Sequence, residues 1–524
     1  MSVCDISWCN GECDMSQRQP LRAQLVFGAA AAERDIGYGL AGYFVDTTAY
    51  ERVQDGRKVV VIGSRGSGKS AIFQMLARRE RAKGTSVVEL SPEDYSYEMM
   101  SSTMAAEDRG SWAKAGAYAV AWKHLLIIEV MRQLSRTVGN RGPNRAIVRY
   151  LRDHYDGFQD SPIAALISYL KRLEGIKIGK YEASVKLREL DRLYKLDELR
   201  PLVPVIEQVC EQHRVVVLVD ELDRGWDASE DARAFVAGLF QAAIAMNNVA
   251  PNLKVYISLR QELYDTIPSL YEDAQKYRDL IEVLSWDETM LLQLIASRIR
   301  YSIQPDKHLT DSQCWLKVFT QQLNGHSDSF QYVVDRTLLR PREIIQFCTK
   351  ALEGRQVRDE LLPVEYAEVA QAERFYSEER TKDIAAEYRF QYPGLLSVFE
   401  AFRGGEAYYE RTELEEICLE LALGERHVSE SATWIVDQEP EALIHILWRV
   451  GFIRARLQHC GPDADLGNRY LGYHQVSTLS VHNARGFEIH PMFQFYLDIG
   501  QARRLVPLPK FRNPSSADRD PQPH

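Results

Sequence analysis

Residues 63–70 read GSRGSGKS, a run in which glycine, lysine and a hydroxyl residue fall at the spacing G-x-x-x-x-G-K-[ST]. That spacing is suited to holding phosphate. Backbone N–H groups can turn inward around a polyphosphate only where the chain bends unobstructed, which predicts Gly63, Gly66 and Gly68 as bending points. Ser64, Arg65, Ser67 and Ala71 complete the loop and the first turn of the helix beyond it. A helix opening near Lys69 aims its positive dipole end at the anion. The Lys69 ammonium is expected on the outer phosphates and the Ser70 hydroxyl on Mg²⁺. An ordinary Gly/Ser turn shares this composition, but not Lys-Ser in register behind both outer glycines.

A second stretch, LVDELDRGWD at 218–227, ends a run of valines with four acidic residues. In nucleotide-binding α/β sheets the ligand lies beyond the carboxyl ends of the strands. Asp220 is therefore expected to orient Mg²⁺ together with Ser70, and Glu221 to polarise the attacking water as a general base. Asp223 and Arg224 stay open between a local ion pair that shapes the loop and an arginine reaching a neighbouring subunit's nucleotide.

These residues need elements to hold them. KVVVI (58–62), SVVEL (86–90), RVVVLVD (214–220) and LKVYISL (253–259) are short and apolar throughout, as strands covered on both faces of a parallel sheet should be. Helical periodicity lies between them, giving βαβ order and an α/β fold. From about 92 to 213 the pattern is mostly helical, at 112–134, 163–174 and 196–212, with a small hairpin at 175–187. This reads as a helical insertion within an ATPase domain at 21–285. Helices at 286–302 and 340–354 make a lid over 286–370. The order helix, Gly-Phe-Ile, strand, turn, strand across 446–457 and 469–482 reads as a winged-helix-like domain at 371–505. Residues 1–20 and 506–524 read as tails.

At 524 residues several domains are expected. The composition, 45% apolar and 26% charged, is that of a soluble globular chain. The formal charge, 64 − 74 = −10, argues against a nucleic-acid footprint over the whole body, while a local basic patch stays open. No apolar run approaches the ~18 residues of a membrane span, and the acidic, Cys-bearing N-terminus lacks the pattern of a signal peptide. A cytoplasmic location is the expectation. Cys4, Cys9 and Cys13 cluster without an obvious fourth zinc ligand, so free thiols are the expected state.

With GSRGSGKS and VVVLVDELDR together, the chain resembles AAA+-type P-loop ATPases, on the branch shared by STAND signalling, KAP-type and origin-recognition ATPases. It also resembles a bacterial group of stand-alone ATPases that carries an FG…AE…YF lead-in (here Phe27, Gly28, Ala32, Glu33, Tyr43, Phe44), the P-loop, and DELD followed by Trp226. The resemblance implies a P-loop NTPase with ATP and Mg²⁺ as cofactors. It places Ser258 and Arg260 at a sensor on the next strand, Arg260 in the STAND manner, and Arg340 and Arg342 at a lid sensor. An arginine near the γ-phosphate stabilises developing charge. Tyr43, Phe44 and Val45 stand either around the base or in the core. The interval 220 − 69 = 151 residues is longer than a minimal P-loop domain, and neither a secure arginine finger nor a repeat array is visible.

The helix expected at 439–450 is almost wholly apolar, opens with Glu439 and Glu441, and offers Arg449 alone as a cation. This favours an interaction or oligomerisation module over a DNA reader, although Arg454, Arg456 and Arg469 leave weak phosphate contact open. His445, His459 and Cys460 are too few and too irregular for a metal site. The expected function is Mg²⁺-dependent ATP hydrolysis working as a nucleotide-controlled switch. Its partners would be a homo-oligomer or a separate effector protein, in bacterial defence or stress signalling, since the chain has no nuclease, protease or deaminase motif. The alternative is an ATP-regulated DNA-binding protein.

Overall fold

The computed structural model describes residues 25, 27–91, 111–155, 199–222, 226, 228–267, 277–304, 308–323, 327–353, 363–436, 438–457, 470–475 and 481–500. The expected tails, the Cys4, Cys9 and Cys13 cluster, the helix at 163–174 and the hairpin at 175–187 lie outside these residues. So do Asp223, Arg224, His459, Cys460 and Arg469.

Five parallel strands form the first sheet: β1 (Val60–Gly63), β2 (Ser86–Leu90), β3 (Val215–Val219), β4 (Leu253–Arg260) and β5 (Ile281–Val283), in the order β2-β3-β4-β1-β5. β1 and β3 are buried along their whole length, as their unbroken β-branched runs require. β2 departs from that expectation. It is an edge strand, and Glu89 on it is exposed and paired with Arg81. β5 escaped the sequence reading because three residues, Ile-Glu-Val, make no run. It closes the other edge, pairing Val60–Ile62 with Ile281–Val283, and Arg52 of α1 (Thr48–Gln54) pins its Glu282 at 2.5–2.8 Å.

Helices cover both faces of the sheet. α2 (Lys69–Ala82) follows β1 directly. The insertion supplies α3 (Ser111–Val138), α4 (Asn144–Tyr155) and α5 (Val203–Cys210) before β3. α3 lies against α6 (Glu230–Asn247), which Ser229 caps by accepting from the Ala232 N–H. Their backbones touch at Gly238, where an added Cβ would meet the Ala119 nitrogen at 2.6 Å. Any side chain there would push the two helices apart.

α7 (Gln261–Thr266) continues β4, and α8 (Glu288–Ile303) and α9 (Pro341–Glu353) are the lid helices. α10 (Tyr366–Glu387) and α11 (Leu395–Glu400) lead to β6 (Tyr408–Glu410), α12 (Arg411–Ala422), α13 (Pro440–Arg449), β7 (Ile453–Leu457), β8 (Tyr470–Leu471) and β9 (Ala484–Ile489). The second sheet runs β8-β7-β9-β6 and is antiparallel. One of its two inner strands is ARGFEI at 484–489, beyond the 469–482 stretch expected to supply the last strand. Two apolar cores result. One surrounds the parallel sheet, and the other runs unbroken from the lid through the C-terminal unit.

Candidate functional site

The phosphate loop joins the buried end of β1 to α2, and its two left-handed residues are Gly66 (φ 82°) and Gly68 (φ 99°). A β-carbon is strongly disfavoured at both. Gly63 is favoured for another reason: its φ is not positive, but a Cβ there would crowd Ser67 Oγ and stand 3.2 Å from Leu284 Cβ. Lys69 lies back over the loop, its Nζ donating to Gly63 O at 2.8 Å and Ser64 O at 3.0 Å. Ser64 sits inside the loop, with its carbonyl also accepting from the Ser67 N–H at 3.2 Å.

β3 delivers Asp220 to the same cleft. Its Oδ1 accepts from the Ser258 hydroxyl of β4 and from the Glu221 N–H at 2.9 Å, while Oδ2 takes no hydrogen bond from the described residues. Ser70 and Asp220 both line the cleft. One carboxylate oxygen without a partner, near a hydroxyl and the phosphate loop, suits a divalent cation whose remaining ligands are phosphate oxygens and water. Among the described residues no group of three His, Cys, Asp or Glu could hold a metal ion. Glu221 has φ 59°, a left-handed conformation that costs a non-glycine residue on the order of 1–3 kcal/mol and is held only by its surroundings.

Cations gather around this space. Arg65, Arg260 and Arg342 line the cleft with Lys69. The pKa of Arg342 is pushed down by burial and by the positive charges of Arg65, Arg380 and Arg260, with Glu33 opposing. Packing arginines together costs electrostatic energy that a bound polyanion would remove.

The sequence reading treated Arg340 and Arg342 alike, and the structure separates them. Arg340 does not line the cleft. It is buried and bonded to Glu387 at the end of α10 at 2.9 Å, with Glu343 at 3.7 Å. Its side chain is committed to carboxylates at the junction of lid and C-terminal unit. Glu262, the second residue of α7, faces the same junction. Burial and the Glu387 charge push its pKa up to about 7.

Three further residues were missed. Trp286, between β5 and α8, donates its indole N–H to Ser67 O at 2.8 Å and covers Gly68. Asp35 and Arg298 are buried and paired at 2.9 Å. Asp35 also accepts from the Tyr43 hydroxyl at 2.7 Å and the Ala29 N–H at 2.6 Å. The Arg298 guanidinium lies 4.5 Å from the Tyr43 ring centre and donates to Phe27 O. A signal for Arg298 existed. It falls at helical spacing with Leu291, Leu294 and Ile295 on the core face of α8, where a charge must be paired. Tyr43, Phe44 and Val45 line the cleft, and Tyr43 and Val45 are also core.

The five-stranded parallel sheet and this cleft are those of the P-loop NTPase fold. The ORC-CDC6-like family model matches residues 26–96, and the model for the FunZ-associated C-terminal helical domain matches 289–385. Of the ATPase groups the sequence resembled, origin recognition is the one that a family model matches, over residues 26–96. The chain is 24% identical over 460 residues to the putative transposon gamma-delta 80.3 kDa protein of Escherichia coli K12, across 82% of this chain. It spans 61% of that relative's length. Among solved structures, Aeropyrum pernix ORC2, in ADPNP-ADP complexes, is 11% identical, covering 91% of this chain and 94% of that one at a TM-score of 0.27. The bacterial conjugative coupling protein TrwB is 16% identical, covering 48% and 74% at a TM-score of 0.17. Superpositions this loose leave the fold to be read from the strand order and the phosphate loop themselves. None of the described helices is long and apolar enough to cross a membrane.

Proposed function

We propose that the chain binds ATP with Mg²⁺, hydrolyses it to ADP and phosphate, and works as a nucleotide-controlled switch. One observation carries the switch: lid elements bond directly to the phosphate loop. The Arg342 N–H donates to Gly66 O at 3.3 Å and the Trp286 indole to Ser67 O at 2.8 Å. A Cβ at Gly66 would stand 2.8 Å from Arg342 Cβ. A loop that adjusts to phosphate therefore pulls on the lid, and the lid shares its core with the C-terminal unit.

In this reading Lys69 and the loop amides hold phosphate, and Ser70 and Asp220 hold Mg²⁺, which neutralises phosphate charge when bound. Ser258 orients Asp220. Glu221 accepts the proton of the attacking water. Arg260 and Arg342 stabilise charge that develops on the γ-phosphoryl group.

The C-terminal unit, winged-helix-like in its strand and helix order, is better suited to contacts with protein than with DNA. Arg449 is bonded to Asp265 at 3.2 Å, Arg454 to Glu488 at 2.6 Å, and Arg456 lies 3.6 Å from Glu410. These cations are already balanced. The output of the switch is then a change in self-association or in the hold on a separate effector protein, with defence or stress signalling as the setting. Size-exclusion chromatography of the Glu221→Gln protein with and without ATP tests this. An ATP-dependent shift in elution supports the switch, and an unchanged profile under saturating ATP overturns it.

A further inference from the structure

A second charged region lies on the insertion, away from the cleft. The stretch 136–154 reads RTVGNRGPNRAIVRYLRDH, five arginines and one aspartate in a chain of net charge −10. Arg136, Arg141, Arg145, Arg149 and Arg152 are all exposed. Arg145, Arg149 and Arg152 fall at i, i+4 and i+7 of α4, and such positions share one helix face with about one residue per turn. The opposite face is apolar and used: Ile147 is fully buried, and Tyr150, Leu151 and Tyr155 pack on the sheet core.

Two features distinguish this stripe from an ordinary solvated face. First, acids are missing. Among the described residues Arg136, Arg141, Arg145 and Arg149 make no ion pair, and Arg152 has only a 3.5 Å approach to its exposed neighbour Asp153. Elsewhere on the described surface some arginines are paired, as Arg403 is with Glu400 and Arg411 with Glu415, and others, such as Arg374 and Arg485, are not; what sets this stretch apart is that its unpaired or weakly paired arginines follow one another from 136 to 152. Second, the corner carrying the stripe is fixed. Buried Asn144 donates through Nδ2 to Leu134 O at 3.2 Å and Gly139 O at 2.7 Å, tying α4 to the end of α3. A cationic row on a rigid support loses little entropy on binding a partner.

We infer that this face of α4 is a docking surface for a nucleic-acid phosphate backbone, read without regard to sequence. The cations are all arginine, whose planar fork matches phosphate oxygens two at a time. Spaced one per turn, they meet a linear polyanion along its length. An anionic lipid surface fits less well, because the exposed positions of α4 offer no apolar residue larger than Ala146 to insert.

The test is fluorescence anisotropy of the full chain with a labelled 30-base-pair duplex of arbitrary sequence, titrated at 50, 100 and 200 mM KCl. The parent should bind, with log K falling against log salt at a slope of about −3 to −5, for four to five phosphate contacts. Arg145→Glu/Arg149→Glu/Arg152→Glu should bind at least about 10-fold more weakly and flatten the slope by about 2–3. The matching Lys variant should keep most of the slope. All three proteins should melt together, since these side chains are exposed. No binding by the parent at 50 mM KCl overturns the proposal. So does equal binding by the charge-reversed protein, or capture by vesicles containing phosphatidylserine without capture of the duplex.

Discussion

Arg340 and Arg342 stand two residues apart at the start of α9 and live in opposite surroundings. Arg342 faces the cleft among Arg65, Arg260 and Arg380, and its pKa is depressed by burial and by those charges. Arg340 faces Glu387 and Glu343. Burial works against its charge, and the carboxylates more than offset that and raise its pKa. One region is short of negative charge and fits an anion from outside. The other is a closed cluster whose charges answer each other. An arginine near a P-loop is therefore not a phosphate ligand by position alone; what decides is which carboxylates the fold has already given it.

The most severe disruption is expected at the junction. Arg340→Ala leaves Glu387 and Glu343 buried without their cation and should cost about 3–5 kcal/mol of stability, measured by denaturant unfolding. In the cleft, Lys69→Ala should lower ATP affinity at least ~100-fold, near 3 kcal/mol, at almost unchanged melting temperature. Calorimetric titration reads this directly, and a Lys69→Ala protein that binds like the parent removes the phosphate-loop reading. Glu221→Gln should bind ATP normally and turn it over about 100-fold more slowly. Arg342→Ala sharpens the contrast with Arg340: ~10-fold weaker ATP binding, with melting unchanged or slightly raised because a crowded cation is gone.

The smallest effect is a pH dependence at the junction. The folded pKa of Glu262, about 7, lies above the ordinary carboxyl value, so the native state holds a proton there that the unfolded chain has lost. Its destabilising effect is absent below about pH 4.5, grows as pH rises towards 7, and is fully present above. Glu387 and Arg340 face it, and Glu387, held low by Arg340 against burial, is the charged member of the pair. Glu262→Gln should therefore stabilise the protein by about 1–2 kcal/mol at pH 8 and by nothing at pH 5. Equal melting shifts at both pH values would break the assignment.

Legibility in the sequence followed the range of the interaction. Four of the five parallel strands were visible as β-branched runs because a strand buried on both faces has no polar alternation to hide it. The fifth was not, since three residues paired to β1 acquire their role only from that pairing. The phosphate loop was legible because backbone curvature is local: Gly66 and Gly68 adopt left-handed angles that other residues resist. Trp286 left no local trace, for its partner Ser67 is 219 positions away. Asp35 and Arg298 are 263 positions apart.

By itself, then, the sequence determined the local features of the cleft: a glycine-shaped loop, a strand ending in Asp220 and Glu221, and arginines in quantity. Each rests on residues close together in the chain, where spacing and backbone angle leave few alternatives. Only the tertiary structure decided which charges are answered. It closed Arg340 onto Glu387, turned Arg342 into the cleft, bonded the lid to the carbonyls of Gly66 and Ser67, and left the arginines of α4 with Asp153 as their one acidic neighbour among the described residues. Pairing depends on what distant segments bring within a few ångströms, and that is settled when the two cores pack.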